Sequence, residues 1–178
     1  NNAAVQGLIT GGTLSDSFTA VSADGATQLV TITISGADDP AVIGGDATGS
    51  VSEDGTLVDG GALTATDPDV GQAVFQAAGA TTTYGSYTLN AAGNWSYTLD
   101  NNNAAVQNLS TGGTLSDSFT AVTADGSTQV VSITIQGLDE PSTAVILNGD
   151  GNDNQLVIDL AAGTYSLDGN TQPLAGIN

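Results

Sequence analysis

The side chains of this sequence that could bind a metal or exchange a proton near neutral pH are its 19 aspartates and glutamates, because the chain has no lysine, arginine or histidine. Cysteine and methionine are absent as well. The available metal ligands are therefore oxygens, a set that suits Ca²⁺ or Mg²⁺ and disfavours zinc. The acidic residues thus predict either a cation-binding protein or a strongly acidic surface.

Electrostatic repulsion separates these two alternatives. Two carboxylates ~5 Å apart in water repel each other by roughly 0.8 kcal/mol, and by more where they are partly buried. A cluster of carboxylates must therefore spread out, take up protons or hold a cation. The alternative to a bound cation is an acidic, solubilising surface suited to a salty extracellular medium.

The missing residue types also exclude several classes of function. Binding to nucleic acid through its phosphates needs cationic side chains, which this chain lacks. Disulfides, Lys–Asn crosslinks, Ser-His-Asp or Cys-His nucleophiles and a phosphate-binding P-loop are excluded for the same kind of reason. No run of 18 apolar residues is present, so the sequence predicts no membrane insertion.

The stretch Gly93–Asp100 predicts the strand around which the rest of the domain packs. Apolar and polar residues alternate in it, so that Trp95, Tyr97 and Leu99 share one face of a strand. Trp95 is the only tryptophan, and the alternation favours a buried core position over a sugar-binding platform. Asp100 and the asparagines 101–103 then end the strand and place oxygen ligands at one end of the domain.

Residues 1–40 and 102–141 are two copies of one unit, at a constant offset of 101 residues. About three quarters of the 40 positions are identical, and a repeat near 100 residues is typical of an immunoglobulin-like or cadherin-like sandwich. We therefore predict an all-β chain with three parts: 1–40 as the C-terminal half of an upstream repeat, 41–141 as a complete repeat, and 142–178 as a different β-rich segment. The half-repeat lacks its facing sheet, so the chain is a piece of a longer protein or a neighbouring chain supplies the missing strands.

Local patterns give further predictions within the complete repeat. The sequence predicts a strand over 73–77, one helical turn from Ala104 to Leu109, and a hairpin of 115–122 with 128–136. Asp125-Gly126, like Asp24-Gly25, has the composition of a tight turn and no other predicted role. Asp16 and Asp117 lie beside strand residues and are predicted to face solvent.

The complete unit resembles a VCBS-type repeat, a tandem sandwich module of giant bacterial RTX adhesins. The motifs that carry the resemblance are Thr64-Ala65-Thr66-Asp67-Pro68-Asp69, Gly85-Ser86-Tyr87-Thr88-Leu89, the Gly93–Asp100 stretch, Asp117-Ser118-Phe119 and Asp125-Gly126. The resemblance implies a secreted protein of the bacterial cell surface, exported by a type I system, whose repeats hold binding domains away from the cell.

The segment after Pro141 resembles the edge of an RTX-type region. Gly149-x-Gly151-x-Asp153 partly fits the calcium-binding nonapeptide, whereas Gln155 stands where that pattern has an apolar residue. The resemblance makes Asp150 and Asp153 candidate Ca²⁺ ligands.

A looser similarity to cadherins assigns roles to the remaining acids. Cadherins bind Ca²⁺ between tandem sandwiches through a linker acid pair, an Asp-x-Asp loop and acids from the base of the preceding domain. At the first joint the corresponding residues are the linker pair Asp38-Asp39 and the loop residues Asp67 and Asp69. At the second joint they are the linker pair Asp139-Glu140 with Glu53 and Asp100 from the base. The alternatives are an ordinary turn at 67–69 and plain solubility in the linkers.

These observations favour a non-catalytic structural extender of a cell-surface adhesin, stiffened by Ca²⁺ at the joints between repeats. Its expected partners are neighbouring repeats of the same or an identical chain. The alternative is a subunit of a self-assembling extracellular filament or sheath, completed by strands from a neighbouring chain. A carbohydrate-binding or glycosidase module is a third hypothesis, but nothing in the acid spacing requires two carboxylates facing a cleft.

Overall fold

The computed structural model describes residues 2–138 and four strands farther along the chain, at 144–148, 155–159, 164–167 and 170–173. Two helices of four residues each, α1 (Ala3–Gln6) and α2 (Ala104–Gln107), occur in these residues, and the other regular elements are β-strands. In the described residues, no helix is long and apolar enough to span a bilayer.

The first unit consists of α1 and one long hairpin. The side chain of Asn2 caps α1 by accepting a hydrogen bond from the backbone N–H of Ala4 at 2.9 Å. Strands β1 (Thr13–Val21) and β2 (Thr27–Ser35) then pair antiparallel along their whole length, from Thr13 opposite Ser35 to Val21 opposite Thr27. The alternation of Val and Ile with Thr and Gln in β2 explains why this segment forms a strand with two distinct faces.

The complete repeat contains two sheets. The larger has the strand order β3 (Val42–Gly45), β5 (Val58–Thr66), β8 (Asn94–Leu99), β7 (Gly85–Leu89) and β6 (Ala78–Thr81). The smaller has the order β4 (Thr48–Ser52), β10 (Thr128–Gln136) and β9 (Thr114–Val122). Strand β4 runs parallel to β10, whereas β9 and β10 form the predicted antiparallel hairpin. The predicted all-β sandwich class is therefore confirmed.

The core between the two sheets is built around aromatic contacts to Phe119. Its ring stacks on Tyr87, with centroids 4.1 Å apart, and meets Trp95 edge-on, with centroids 5.9 Å apart. The indole N–H of Trp95 donates to the backbone carbonyl of Asp46 at 2.8 Å, so the polar edge of the buried ring is satisfied. Trp95, Tyr97 and Leu99 are all buried, which confirms the prediction made from their alternation.

The predicted strand over 73–77 is wrong: residues 71–74 form turns and bends, Phe75 makes one isolated antiparallel bridge with Thr123, and the strand β6 begins at Ala78. The side chain of Phe75 is buried. Its backbone N–H donates to the carbonyl oxygen of Ala91, whereas the backbone N–H of Gln76 donates to the carbonyl oxygen of Val122. Consecutive amides therefore bond to two different parts of the sandwich, which prevents the segment from joining one ladder.

The C-terminal segment forms a separate four-stranded sheet. Its strands are β11 (Ala144–Asn148), β12 (Gln155–Asp159), β13 (Thr164–Leu167) and β14 (Asn170–Pro173). Each pairs antiparallel with the next one along the chain.

Candidate metal centre at the joint between repeats

The linker Asp38–Ala41 joins the first unit to the complete repeat and is held by side chains from both. Each backbone N–H in it donates to a side-chain oxygen, apart from that of Pro40, which has none. The pairs are Asp38 with Thr10 Oγ1 at 3.1 Å, Asp39 with Asp69 Oδ2 at 2.7 Å, and Ala41 with Asp125 Oδ2 at 2.8 Å. The backbone of the linker is thus anchored to one unit at its start and to the other at its end.

The loop at 67–72 presents oxygen atoms to this linker. Asp67 Oδ1 accepts a hydrogen bond from the backbone N–H of Asp69 at 2.7 Å, an Asx turn that fixes the spacing of the two acids. The amide nitrogen of Gln72 donates to Asp38 Oδ1 at 2.6 Å. Asp69 is 2% exposed, although it carries a carboxylate and the chain has no cationic side chain to pair with it.

Buried oxygens without a hydrogen-bond partner concentrate beside the linker. The described residues contain five buried side-chain nitrogen or oxygen atoms that lack a partner, and three of them are Asp67 Oδ2, Asp69 Oδ1 and Gln72 Oε1. Buried polar atoms are nearly always satisfied by protein, water or an ion. Two carboxylate oxygens and an amide oxygen are ligands that Ca²⁺ accepts, so these residues fit a calcium ion by chemical type.

Geometrically, the described residues contain no group of three or more acidic side chains that already converges as a metal cluster would. The repeat accounts for part of this lack of convergence at the first joint. The first unit corresponds only to residues 102–138 of the complete repeat, so it contains no counterparts of Glu53 and Asp100, the acids predicted at the base. The first joint therefore shows the linker pair and the loop without the base acids.

Glu53 is the acid predicted to act from the base of the complete repeat at the second joint. It lies in the turn after β4 and is 0% exposed. Its Oε1 accepts a hydrogen bond from the backbone N–H of Leu138 at 2.7 Å, while Oε2 is another of the five buried atoms without a partner. Leu138 directly precedes Asp139 and Glu140, so a buried carboxylate with a spare oxygen lies at the start of the second linker.

Asp100 lies on a segment that is tied to the Glu53 turn. Its Oδ1 accepts from the backbone N–H of Asn102 at 3.0 Å, and its side chain is exposed. Two hydrogen bonds join Asn101 to Asp54. The backbone N–H of Asp54 donates to Asn101 Oδ1 at 3.0 Å, and Asn101 Nδ2 donates to Asp54 Oδ1 at 2.7 Å. These bonds hold the end of β8 against the turn after β4, where Asp54 adopts a left-handed backbone with φ of 50°.

Four predicted ligands, Asp139, Glu140, Asp150 and Asp153, lie outside the described residues. Hydrogen bonds connect the segments that carry the other predicted acids, in two places: those of Asp38, Asp39, Asp67 and Asp69 at the first joint, and those of Glu53 and Asp100 at the second. Metal binding by all of these residues stays a prediction.

A family model of the bacterial cadherin-like domain matches residues 38–137, more than half of the chain. The chain belongs to the bacterial cadherin-like domain family. The predicted cadherin-like class is thereby confirmed, whereas the narrower VCBS and RTX assignment stays a prediction. Cadherin-like domains are generally non-catalytic, and the absence of catalysis in this chain stays a prediction.

Comparison with solved structures gives weaker similarity. The structure of a Ca²⁺-stabilized adhesin that helps an Antarctic bacterium reach out and bind ice aligns with 87% of this chain and 40% of that chain. The sequence identity is 14% and the TM-score is 0.30, too low to support a conclusion about function. This cadherin-like chain thus spans less than half of the length of that structure. No curated protein matches the chain significantly.

Asp117 was predicted to face solvent, and that prediction is wrong. Its side chain is buried, and its Oδ2 accepts hydrogen bonds from the hydroxyl of Tyr97 at 2.8 Å and the backbone N–H of Tyr84 at 3.0 Å. The alternation of the strand already contained the signal, because Asp117 shares a face with Phe119 and Ala121. This acid connects the two sheets of the cadherin-like domain through a buried hydrogen-bond network.

Asp125 has a role beyond the turn that its Asp-Gly dipeptide predicts. Its carboxylate accepts hydrogen bonds from the hydroxyls of Thr123 and Ser127 and also from the backbone N–H of Ala41. The hydrogen bond from the Ser127 hydroxyl, followed by those from Thr123 and Ala41, lowers the pKa of Asp125 from its usual value. The turn between β9 and β10 therefore fixes the place where the linker enters the domain.

The stability of the domain should depend on pH through Asp117. Burial alone would raise the pKa of this carboxyl, but hydrogen bonds from Thr82, Tyr97, Tyr84 and Ser118 together hold it below its usual value. A carboxyl with a lowered pKa stabilises the folded state above its unfolded pKa of about 3.9, and this contribution is lost as the pH falls through the folded pKa. We expect the free energy of unfolding, followed by the fluorescence of Trp95 in urea, to fall below about pH 4.

An Asp117→Asn variant should show a smaller acid-induced loss of stability, because the titrating group is gone. The matched control is Asp16→Asn, which changes an exposed acid in the identical sequence of β1 and should leave the pH profile of the domain unchanged. Equal slopes for the parent chain and Asp117→Asn below pH 4 would contradict this role for Asp117.

Proposed function

We propose that this cadherin-like domain is a non-catalytic extender repeat of a large bacterial cell-surface adhesin, and that Ca²⁺ at the joints holds successive repeats in line. The observation that carries the proposal is the set of buried, unpaired oxygens of Asp67, Asp69 and Gln72 beside the linker. Ca²⁺ takes about six to eight oxygen ligands in flexible geometry, and side chains of this kind supply them. When bound, the ion would neutralise charge that the chain itself has no means to neutralise.

In this proposal, the two joints together would provide the ligand set of one complete site. The first shows the linker pair next to the Asp-x-Asp loop, and the second shows the buried base acid Glu53 next to the start of its own linker. Asp38-Asp39 and Asp139-Glu140 occupy equivalent positions at the offset of 101 residues. In a tandem array, each joint would therefore combine base acids from one repeat with a linker pair and a loop from the next.

The hydrogen bonds of the linker support a stiff joint. Because three backbone N–H groups of Asp38–Ala41 are already fixed by side chains, little further ordering of the backbone is needed when an ion binds. The remaining motion involves the orientation of the acidic side chains. A cation held by acids of both repeats would restrict bending between them.

An array of this kind would act as an extended spacer. Each sandwich would add roughly 40 Å at ~3.3 Å per strand residue. Extracellular calcium modules typically bind with Kd of about 10⁻⁴–10⁻³ M, so the joints would be filled outside the cell and empty at low calcium. We place the protein on the bacterial cell surface as a VCBS-type repeat of an RTX adhesin, secreted by a type I system, with neighbouring repeats as its partners.

Thermal unfolding with and without calcium tests the proposal. In about 10 mM CaCl₂, close to 100 times the lower Kd, each ion should add about 2.7 kcal/mol to the free energy of unfolding relative to EGTA. For a domain of this size that gain raises Tm by roughly 10 °C or more. Differential scanning calorimetry in the two buffers measures the shift.

The variant Asp69→Asn should reduce the calcium-dependent rise in Tm, because it removes a charged ligand and keeps the oxygen that accepts from Asp39. Asp24→Asn is the matched control, since it removes one charge from a turn that is not part of either joint. A Tm that is the same in calcium and EGTA, or equal calcium responses of the two variants, would contradict the proposal.

A further inference from the structure

The loop at 67–72 contacts the first unit directly as well as through the linker. The backbone N–H of Val70 donates to the carbonyl oxygen of Gly7, the residue that caps the end of α1, at 3.5 Å. The side chain of Val70 is 81% exposed, so packing adds little to this contact. The shorter contact is made by Gln72, whose amide nitrogen donates to Asp38 Oδ1 at 2.6 Å. Both contacts consist of protein atoms alone, so they hold the loop against the first unit and the linker without an ion.

Gln72 differs from the other side chains that hydrogen bond to the linker. In the part of the chain that the structure describes, Thr10, Asp69 and Asp125 each accept a hydrogen bond from a backbone N–H of the linker. Gln72 instead donates to it, and the acceptor is a carboxylate. Hydrogen bonds from N–H groups to a carboxylate are shorter and stronger than those between neutral groups. Because the chain has no lysine, arginine or histidine, this amide takes the place that a cationic side chain would have in an ion pair.

The two ends of the Gln72 amide play different parts. Its nitrogen holds Asp38, whereas its Oε1 is buried without a partner, like Asp67 Oδ2 and Asp69 Oδ1 in the same loop. A primary amide donates only through its nitrogen and accepts only through its oxygen, so the bond to Asp38 leaves the acceptor end available. A carboxylate at this position would have no donor for Asp38, and an ammonium group would have no acceptor end. The residue at position 72 therefore affects both how the linker is held and which ligands the loop offers to a cation.

We propose that Gln72 is a positioning residue of the joint: an amide latch that holds Asp38 against loop 67–72 and sets how strongly the joint depends on calcium. The latch itself is independent of the proposed function, and its effect on calcium dependence rests on that function. The amide has no net charge, so it leaves the negative charge of Asp38, Asp67 and Asp69 for an ion to neutralise. A cationic residue at position 72 would neutralise part of this charge from within the chain. One hydrogen bond restrains a joint less than an ion held by several acids, so calcium still adds stiffness.

The latch is tested in EGTA by the exchange of the backbone amides of Asp38 and Asp39, measured by NMR on the full chain. Gln72→Ala should speed the exchange of both amides by about fivefold or more, because the linker loses a charged hydrogen bond. Gln72→Glu should speed it at least as much, since glutamate matches glutamine in shape but has no donor for Asp38. Gln72→Lys keeps a donor and should stay within about twofold of the parent chain.

This order of variants separates the latch from a packing role. Packing alone predicts that Gln72→Glu behaves like the parent chain, because the two side chains have nearly the same shape. The fluorescence of Trp95 shows whether each variant is folded. Unchanged exchange at Asp38 and Asp39 in folded Gln72→Ala and Gln72→Glu would overturn the proposal, whatever the response to calcium.

The effect on calcium dependence is tested by calorimetric titration of the same variants with CaCl₂. Gln72→Lys should weaken calcium binding by about tenfold or more and Gln72→Glu should strengthen it severalfold, because the charge of the ligand set tunes Kd. Gln28→Lys is the matched control: Gln28 lies at the end of the β1–β2 hairpin away from the linker, and its amide donates to the carbonyl oxygen of the next residue, Leu29. This control should stay within about twofold of the parent chain.

Two outcomes of the titration contradict different claims. Equal affinities of Gln72→Lys and Gln28→Lys, in a parent chain that binds calcium, would overturn the proposed effect of Gln72 on calcium dependence. A parent chain that binds no calcium would contradict the proposed function instead, and the exchange measured in EGTA would still decide whether the latch exists.

Discussion

Replacing Phe119 with alanine is expected to lower the free energy of unfolding of the complete repeat by about 3–5 kcal/mol. The ring is buried between Tyr87 and Trp95, so its loss removes two aromatic contacts and leaves a cavity between the two sheets. The total stability of a domain is only about 5–15 kcal/mol, and the variant should therefore be close to unfolding at room temperature. Urea titration monitored by Trp95 fluorescence measures this loss, because the chain has one tryptophan.

The chain contains its own control for this prediction. Phe18 lies in the same nine-residue sequence but in the uncovered hairpin, so Phe18→Ala should change the Trp95-monitored stability by less than about 0.5 kcal/mol. A similar loss from the two substitutions would mean that the β1–β2 face is covered in solution. It would also contradict the difference in exposure between Phe18 and Phe119.

Replacing Glu53 with glutamine should remove about 2.7 kcal/mol of calcium-dependent stability while changing the stability in EGTA by less than about 1 kcal/mol. Glutamine keeps the oxygen that accepts from the Leu138 N–H, so the turn after β4 retains its link to the second linker. The oxygen that has no partner becomes the amide nitrogen, which carries no charge and is a donor, so it is not a ligand for a hard cation. Urea titrations in about 10 mM CaCl₂ and in EGTA give the two free energies whose difference defines the effect.

Asp54→Asn is the matched control for Glu53→Gln. It removes one negative charge from the same turn but keeps both hydrogen bonds to Asn101, and asparagine tolerates the left-handed backbone of this position. Asp54→Asn should therefore keep most of the calcium response. If the two variants lose calcium-dependent stability equally, net charge and not a specific ligand accounts for the response.

The sequence predicts the fold of this domain well where period-2 alternation and repetition act together. The alternation of Trp95, Tyr97 and Leu99 identified the core strand, and the offset of 101 residues identified two copies of one unit. It failed at Phe75, where a buried aromatic side chain belongs to an irregular segment. Burial of one large side chain does not require a ladder, and no local pattern shows that consecutive amides bond to different parts of the sandwich.

The candidate site was only partly predictable. The similarity to cadherins and the spacing from the linker predicted Asp39 and Asp69 as ligands of one site. In the structure, the backbone N–H of Asp39 donates a hydrogen bond to the carboxylate of Asp69. Gln72 was missed because an isolated glutamine carries no signal until the loop places its amide beside Asp38. The contact of Asp125 with Ala41 was also missed, since it joins residues 84 positions apart and depends on the path of the chain between the sheets.

The most direct test of the account is small-angle X-ray scattering of the full chain in about 10 mM CaCl₂ and in EGTA, with Asp69→Asn measured in both buffers. Calcium at the joints predicts that chelation lowers the maximum dimension and broadens the pair-distance distribution of the parent chain, and that Asp69→Asn in calcium resembles the parent in EGTA. Superimposable scattering profiles of the parent chain in the two buffers would contradict the account and leave these acids as a solubilising surface.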